Sequence, residues 1–313
     1  HEIEVPFTED FSTLAALKVK QILKQKIRET ERELILDEYS ERIGDMIKGN
    51  VDKVKDHFYI IAFDRTFGFL NKHEVPRGLE LSEGDSIKAV ITNIDVNSKG
   101  VPIILSINSV EYVKRILESE IPEIKDGTII VDKIARYGGV RTKMIVKASR
   151  EGIDPVGTII GPSGTRIQRI IEQVGREFID VIPEKEELDK QIARAFVPAK
   201  PLYVKIQKYS EDRKPKYSDD RKPKYSDDRN PKYSDDKKQD KAIVVVTEED
   251  FSSAIGRGGS NAKVISRLLD IEIDVIKQAD ADFEIPSDFT YSEQRNSTHS
   301  SRTRNIDASK YMI

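Results

Sequence analysis

A short glycine pattern occurs twice in this sequence, and it limits the possible folds more than any other feature. Residues 161–164 read Gly-Pro-Ser-Gly and are followed by an apolar helical pattern and by Ile-Asp-Val-Ile at 179–182. Residues 256–259 read Gly-Arg-Gly-Gly, and again a helical pattern and Ile-Asp-Val-Ile (273–276) follow. Repetition of a whole pattern at matched spacing indicates two copies of one small module.

The segments in front of each glycine pattern repeat as well. Alternation with a period of two predicts strands, and apolar recurrence at three and four residues predicts helices. In the first copy we expect a helix from 111 and strands at 127–136, 141–149 and 178–182; in the second, a helix at 187–196 and strands at 202–207, 242–246 and 273–276. Each copy therefore predicts the order α-β-β-α-α-β.

The first hundred residues are organised differently. Residues 8–42 carry one apolar and one charged stripe at helical spacing, which predicts a long amphipathic helix. Five short period-two segments follow, separated by turn residues, at 46–53, 58–63, 67–70, 86–95 and 102–108. Five strands in so short a stretch favour a small OB-type β-barrel.

Together these patterns predict a multidomain α+β protein. Its predicted parts are an N-terminal helix at 1–42, a five-stranded OB-type barrel at 43–109, two tandem modules at 110–184 and 185–279, and a polar tail at 280–313. The second module contains an insert at 208–239, an octapeptide repeat without aliphatic residues, and we predict disorder for the insert and the tail. Repeat expansion without function, a weak RNA tether and a phosphorylation target are all open interpretations of the insert.

Composition excludes several classes of protein. The 313 residues contain no cysteine, which rules out disulfides, thiolate metal sites and cysteine nucleophiles. No apolar run approaches the ~20 residues that span a membrane, and the chain opens at His1 without a signal segment. We therefore expect a cytoplasmic protein without cofactors, whose natural N-terminus lies upstream. The net charge is −3, but residues 127–182 hold nine basic against six acidic side chains.

The glycine patterns suit the binding of a sugar-phosphate backbone. Glycine at the outer positions lets the main chain approach the phosphates closely, because no Cβ stands between them. The helix that follows offers free N–H groups and the positive end of its dipole to anions. KH modules clamp about four nucleotides of single-stranded RNA or DNA with such a loop. Helix–turn–helix connections also contain Gly-x-x-Gly, so the interpretation depends on the duplication.

Candidate RNA-binding residues lie in the loops, in the first predicted hairpin and on the barrel. They are Gly161, Ser163, Gly164, Arg166, Arg169, Arg136, Arg141 and Lys143 in the first module, Gly256, Arg257, Gly258, Gly259, Asn261 and Lys263 in the second, and Phe58, Phe67 and His73 on the barrel. Barrels of this type bind single strands by stacking bases on aromatic side chains. The cations are equally consistent with a solvated face, and the phenylalanines with the barrel core.

The order of modules and several motifs resemble the NusA family of bacterial transcription elongation, termination and antitermination factors. The similar segments are 20–29, Ile-Pro-Glu-Ile at 121–124, Arg-Thr-Lys at 141–143, Asp-Pro-Val-Gly at 154–157 and Ala-Ile-Gly-Arg-Gly-Gly-Ser-Asn at 254–261. The resemblance implies an S1-type barrel and two type II KH domains. It also implies a non-catalytic monomer that binds nascent RNA, RNA polymerase and other antitermination factors, with most of its polymerase-binding domain preceding this chain.

Besides the absence of most of the N-terminal domain, two features of the chain depart from the family pattern. Pro162 and Ser163 replace a basic pair that is common in the first loop, and proline cannot donate an N–H. We therefore expect Arg166 and the hairpin cations to contribute more of the RNA contact in the first module. The octapeptide insert is not an expected family feature.

The alternative function is an RNA-degradation or processing subunit that captures RNA with its barrel and KH modules. Phosphorolytic exoribonucleases carry a KH module before the barrel, behind a large catalytic core, whereas here the barrel comes first and no such core is predicted. The four histidines (1, 57, 73 and 299) show no metal-ligand spacing. A cap subunit similar to those of the exosome would carry one KH module rather than two.

Overall fold

The computed structural model describes residues 9–64, 66–76, 79–95, 103–185, 187–208 and 240–286. The predictions of disorder for the octapeptide insert and for most of the tail concern residues outside these ranges. Within the described ranges, no helix combines the length and the apolar character that crossing a membrane requires.

A long helix precedes the barrel and is anchored at its end. Helix α1 spans Glu9–Tyr39, as the amphipathic pattern predicts. Its apolar side chains, such as Leu23 and Ile27, are exposed, whereas Tyr39 is buried. The Tyr39 ring meets the edge of the Phe63 ring with 5.9 Å between centroids. The last turn of the helix therefore packs on the barrel.

Five strands form the barrel. They are β1 (Met46–Val54), β2 (Phe58–Phe63), β3 (Thr66–Asn71), β4 (Ser86–Ile94) and β5 (Ile103–Ser106), closed in the order β1-β2-β3-β5-β4. Side chains alternate between the interior and the surface, so that Tyr59, Ile61 and Phe63 on β2 point inward and are buried. The predicted five-stranded OB-type barrel is confirmed.

Both modules have the α-β-β-α-α-β order that their patterns predict, and the first has an additional short helix before its first strand. The first consists of α2 (Val110–Glu120), α3 (Pro122–Lys125), β6 (Ile129–Tyr137), β7 (Arg141–Ala148), α4 (Pro155–Ile160), α5 (Thr165–Gln173) and β8 (Phe178–Pro183). The second consists of α6 (Leu188–Ala195), β9 (Tyr203–Gln207), β10 (Lys241–Val246), α7 (Glu248–Ile255), α8 (Ser260–Leu269) and β11 (Glu272–Lys277). In each sheet the middle strand pairs antiparallel with the first strand and parallel with the last.

The insert joins two strands that are direct neighbours. Strands β9 and β10 pair antiparallel from Tyr203 opposite Val245 to Gln207 opposite Lys241. The chain therefore leaves the sheet at Gln207 and returns to it at the residue paired with Gln207.

Two hydrophobic cores tie the three modules together. One core contains the interior of the barrel, helix α2 and the side chains of β7 that face α5, including Met144 and Val146. The other contains Ala135 and Ile145 on the opposite face of the same sheet, together with the apolar side of α8. The first KH sheet is therefore buried on both faces, as its apolar run in β7 suggests.

Polar contacts fix the barrel against the first KH module. The Lys88 ammonium on β4 donates a 2.7 Å hydrogen bond to the side-chain oxygen of Gln173. The Arg115 guanidinium on α2 donates to the carbonyl of Gly44, just before β1, at 2.8 Å. The barrel and the first KH module therefore pack directly against each other rather than being joined by a free linker.

Candidate nucleic-acid interface

The two glycine turns have the same backbone conformation. Gly161 and Gly256 adopt φ/ψ of 75°/173° and 74°/168°, and Gly164 and Gly259 adopt 77°/13° and 76°/13°. Each of these φ values lies in the positive region that side chains with a Cβ rarely occupy. The sequence repeat therefore specifies a repeated backbone shape and not only a repeated composition.

The tips of both turns face solvent. Ser163 and Gly258 occupy equivalent left-handed positions, with φ of 53° and 62°. A Cβ built on Gly258 would have no neighbour within 4 Å. Pro162 and Arg257, the preceding residues, are exposed as well. Each open tip leads directly into a helix N-terminus, which is the arrangement that accepts phosphate groups.

Arg166 closes the first turn from behind. Its guanidinium donates to the Thr158 carbonyl at 3.1 Å and pairs with Glu123 at 3.0 Å. Hydrogen bonds from the Glu123 backbone and from Arg166 lower the pKa of the Glu123 carboxyl. A Cβ on Gly161 would lie 2.7–3.0 Å from the Arg166 stem, so the first glycine is needed for this packing.

Asn261 has the same position in the second turn, five residues after the first glycine. Its amide donates to the Ala254 and Ser253 carbonyls at 3.0 and 3.3 Å, and the residue is 1% exposed. A Cβ on Gly256 would lie 2.9 Å from the Asn261 Cβ. Asn261 therefore supports the turn from inside and has no surface for RNA, which corrects its prediction as an RNA-binding residue.

Arg136 is also unavailable to RNA. Its side chain is 1% exposed and forms a double hydrogen bond with the Glu177 carboxylate at 2.9 and 3.1 Å. It also donates to the carbonyls of Ile107 and Ser109 at 2.9 Å. Because Ile107 and Ser109 follow the last barrel strand, Arg136 joins the barrel to the first KH module. The expectation that it contacts RNA is wrong.

Lys143 lies in the seam between the two KH modules. Its side chain is fully buried, and its ammonium donates to Asp180 at 2.7 Å and to the Val197 carbonyl at 3.0 Å. Burial lowers the pKa of Lys143 to about 8, and the nearby Asp180 carboxylate opposes that shift. Lys143 therefore links the sheet of the first module to the end of α6 in the second, and its prediction as an RNA-binding residue is wrong.

Arg141 lies beside Lys143 at the rim of the seam. Its guanidinium pairs with Asp180 at 3.0 Å and donates to Asn261 at 3.4 Å. Its side chain keeps 16% of its surface exposed. Arg141 thus connects the first module to the residue that supports the second glycine turn.

Three predicted cations remain at the surface near the turns. Arg169 on α5 and Arg257 in the second turn are exposed, and neither side chain has an ionic or hydrogen-bond partner within the described part of the chain. The Lys263 ammonium is exposed and donates to the Gly258 carbonyl at 3.3 Å. These three side chains are available to phosphates.

The barrel presents an aromatic surface on β2 and β3. Phe58 and Phe69 point outward with ring centroids 4.5 Å apart, and Phe67 is 45% exposed. His73 is exposed on the short 3-10 turn that follows β3. Tyr59, by contrast, belongs to the core. The three predicted barrel residues therefore lie on the outside of the barrel.

Two acidic residues of the site, Asp180 and Glu177, were not predicted from the sequence. They are the partners of Arg141 and Lys143 and of Arg136, respectively. Asp180 lies in the first Ile-Asp-Val-Ile segment, and its counterpart Asp274 lies in the second. Because both repeats have a carboxylate at this position, the sequence could have indicated Asp180 as a site residue. Glu177 carries no repeated pattern that would have identified it.

Comparisons with known proteins match both modules and most of the chain. The family described as NusA-like first KH domain matches residues 107–184, and the NusA-like second KH domain matches residues 188–283. The transcription termination/antitermination protein NusA of Halalkalibacterium halodurans is 30% identical over 280 residues, covering 90% of this chain and 65% of that protein. The NusA of Bacillus subtilis is 29% identical over 280 residues, with coverages of 90% and 67%. That of Borreliella burgdorferi is 31% identical over 266 residues, with coverages of 85% and 49%.

The chain thus spans about half to two thirds of the length of these relatives. The two KH matches fall in the same order as the two structural modules, and the matches to the relatives cover 85–90% of the chain. On this evidence, the chain belongs to the NusA family.

Proposed function

We propose that this protein binds single-stranded nascent RNA and acts with RNA polymerase in the control of pausing, termination and antitermination. The observation that carries the proposal is the pair of glycine turns with one backbone shape, each open to solvent at its tip and leading into a helix. The relatives are named for transcription termination and antitermination, which supplies the process in which this RNA binding takes place.

RNA would contact the protein at several points of one packed body. Each turn holds a short stretch of sugar-phosphate backbone, at about four nucleotides per KH module. Arg257 and Lys263 neutralise phosphates at the second turn, and Arg169 does so near the first. The outward Phe58 and Phe67 offer flat surfaces on which unpaired bases stack.

The role is one of binding rather than catalysis. Its further partners are RNA polymerase and other antitermination factors, and we expect a cytoplasmic monomer. The chain spans about half to two thirds of these relatives, so we propose the polymerase contact from the family and not from a surface of the described residues. RNA degradation is the competing function, and incubation of labelled RNA with phosphate or divalent metal tests it directly. Shortened RNA would favour degradation, and intact RNA in a shifted band would favour binding.

The glycine turns are tested by introducing negative charge. The double variant Gly164→Asp, Gly259→Asp puts carboxylates where phosphates bind, and aspartate tolerates the left-handed backbone better than most residues. We expect at least a tenfold loss of affinity for short unstructured RNA at low salt, measured by fluorescence anisotropy. Wild-type affinity in this variant would refute the proposal.

A matched control keeps the same change of charge away from the turns. Gly127 and Gly152 lie in the first KH module, have φ of 78° and 83°, and have open space around an added Cβ. Both double variants are also compared at the same moderate salt, where long-range charge effects are screened, and there Gly127→Asp, Gly152→Asp should bind RNA within about twofold of wild type. If both double variants lose the same affinity, net charge rather than the turns controls binding.

A further inference from the structure

Two large aromatic side chains are exposed next to the seam of the KH modules. Tyr137 at the end of β6 is 45% exposed, and Phe178 at the start of β8 is 54% exposed. Arg141 lies between them on β7, paired in register with both. Because residues in register on neighbouring strands point to the same face of a sheet, the three side chains form one row.

We propose that Tyr137, Arg141 and Phe178 form a stacking platform for an unpaired RNA base. The proposal rests on the proposed RNA-binding function and adds a base-binding site to it. The platform occupies the face of the first KH sheet that points away from α4 and α5. It is therefore separate from the first glycine turn, which belongs to those helices.

The platform is held rigid by its central cation. The Arg141 guanidinium lies 5.2 Å from the centre of the Phe178 ring and is fixed by Asp180 at 3.0 Å. A planar guanidinium beside an aromatic ring gives a base two kinds of flat surface, one apolar and one cationic. Ordering these groups in advance lowers the entropy lost when a base binds.

The platform lies close to the second glycine turn. Arg141 donates to Asn261 at 3.4 Å, and the Asn261 Cβ lies against Gly256, the first residue of that turn. One side chain therefore separates the platform from the turn that is proposed to hold the RNA backbone. This continuity identifies the occupant as a base of the same strand, next to the nucleotides held by the second turn.

The first test removes the aromatic surface and measures RNA affinity. The RNA is unstructured and about ten nucleotides long, enough for both turns. We expect Phe178→Leu and Tyr137→Ala each to weaken its binding by roughly tenfold, a typical loss for one stacked base. Tyr137→Phe keeps the ring and should bind like wild type. Ile130→Ala, which changes a 40% exposed side chain on the same strand, is the matched control and should also bind like wild type.

The second test identifies the base. RNAs with a single abasic nucleotide, moved along the sequence, should show one position at which the loss of the base weakens binding to wild type by about tenfold. The same abasic RNA should bind Phe178→Leu no more weakly than intact RNA does. A general loss of folding would not produce this coupling between one base and one side chain. Thermal unfolding of each variant checks separately that the variant is folded.

The outcomes separate the platform from the proposed function. If the aspartate variants of the glycine turns lose RNA while Phe178→Leu and Tyr137→Ala bind normally, the RNA-binding function stands and the platform is refuted. If the aromatic variants lose affinity equally for every abasic RNA, no base occupies the platform and the proposal fails. A single coupled position supports it.

Discussion

Asp180 is the carboxylate on which the seam between the KH modules depends. It accepts hydrogen bonds from the fully buried ammonium of Lys143 at 2.7 Å and from Arg141 at 3.0 Å. Asp180→Asn keeps the shape of the side chain and removes its charge. The variant leaves the Lys143 charge buried without its counter-ion.

The magnitude follows from that burial. Breaking a buried ion pair by removing one partner destabilises a protein by roughly 3–5 kcal/mol. The Asp180 side chain is 18% exposed, so we expect a loss at the lower end, about 3 kcal/mol in the free energy of unfolding. Urea unfolding measures this loss through the midpoint, provided that the slope of the transition stays unchanged.

Asp274 provides the matched control, because it has the same position in the second repeat. It pairs with Lys241 at 3.2 Å, but the two side chains are 48% and 34% exposed. Exposed ion pairs contribute about 0–1 kcal/mol, so Asp274→Asn should shift the urea midpoint little. Equal losses in Asp180→Asn and Asp274→Asn would refute the assignment of Asp180 as the counter-ion of a buried charge.

The pH dependence of the stability of Asp180→Asn is a second test of the ion pair between Asp180 and Lys143. Without Asp180, the pKa of Lys143 should fall below its value of about 8 in the wild type, because the carboxylate raises it. In Asp180→Asn, Lys143 can then lose its proton and no longer carry a buried charge. The loss of stability relative to the wild type should therefore be largest near pH 6 and shrink as the pH rises toward 8. Adding Lys143→Met to Asp180→Asn should recover part of the lost stability. A deficit that is independent of pH would contradict this reasoning.

Three further predictions concern other parts of the molecule. Wild-type stability should rise by about 2 kcal/mol between pH 7.5 and 9.5. The reason is that Lys143, with its lowered pKa of about 8, loses its proton in the folded protein at a lower pH than in the unfolded chain. Chemical unfolding of Lys143→Met should not show this rise. Glu177→Gln should destabilise the protein by about 3 kcal/mol, since it leaves the Arg136 charge buried and unpaired, and thermal unfolding measures it. Gly256→Ala should lower the free energy of unfolding by about 3 kcal/mol, because its backbone region is nearly specific to glycine and the added methyl would clash. Gly258→Ala, in open space, should lower it by about 1 kcal/mol. Equal losses would contradict the view that the first glycine of the turn is needed for packing.

Most of the fold could be predicted from the sequence because local patterns determine it. The strand patterns agree with the observed strands to within two residues at nearly every end, and the repeat anticipated both modules. These signals arise within ten to twenty residues of chain, where side-chain period and turn chemistry act directly. The order of the strands around the barrel was not predicted beyond the assignment to the OB type, because pairing between distant strands leaves no local pattern.

The roles of the charged residues could not be predicted in the same way. Arg136 pairs with a carboxylate 41 positions away, and Arg141 donates to a side chain 120 positions away. The composition around a cation does not reveal such distant partners, so buried and exposed cations look alike in the sequence. The exposure of Arg257 could be predicted, because the turn that contains it is itself exposed, whereas its contact with RNA stays a prediction.

The junction of β9 and β10 shows how the module accommodates its long insert. Gln207 and Lys241 are paired on adjacent strands, so the segment between them starts and ends at neighbouring positions of the sheet, as a two-residue hairpin turn does. Since the entropy of closing a loop grows only with the logarithm of its length, adding or losing octapeptide units changes stability by well under ~1 kcal/mol. The number of repeats can therefore drift during replication without selection acting on the fold, and the same point would accept a reporter domain.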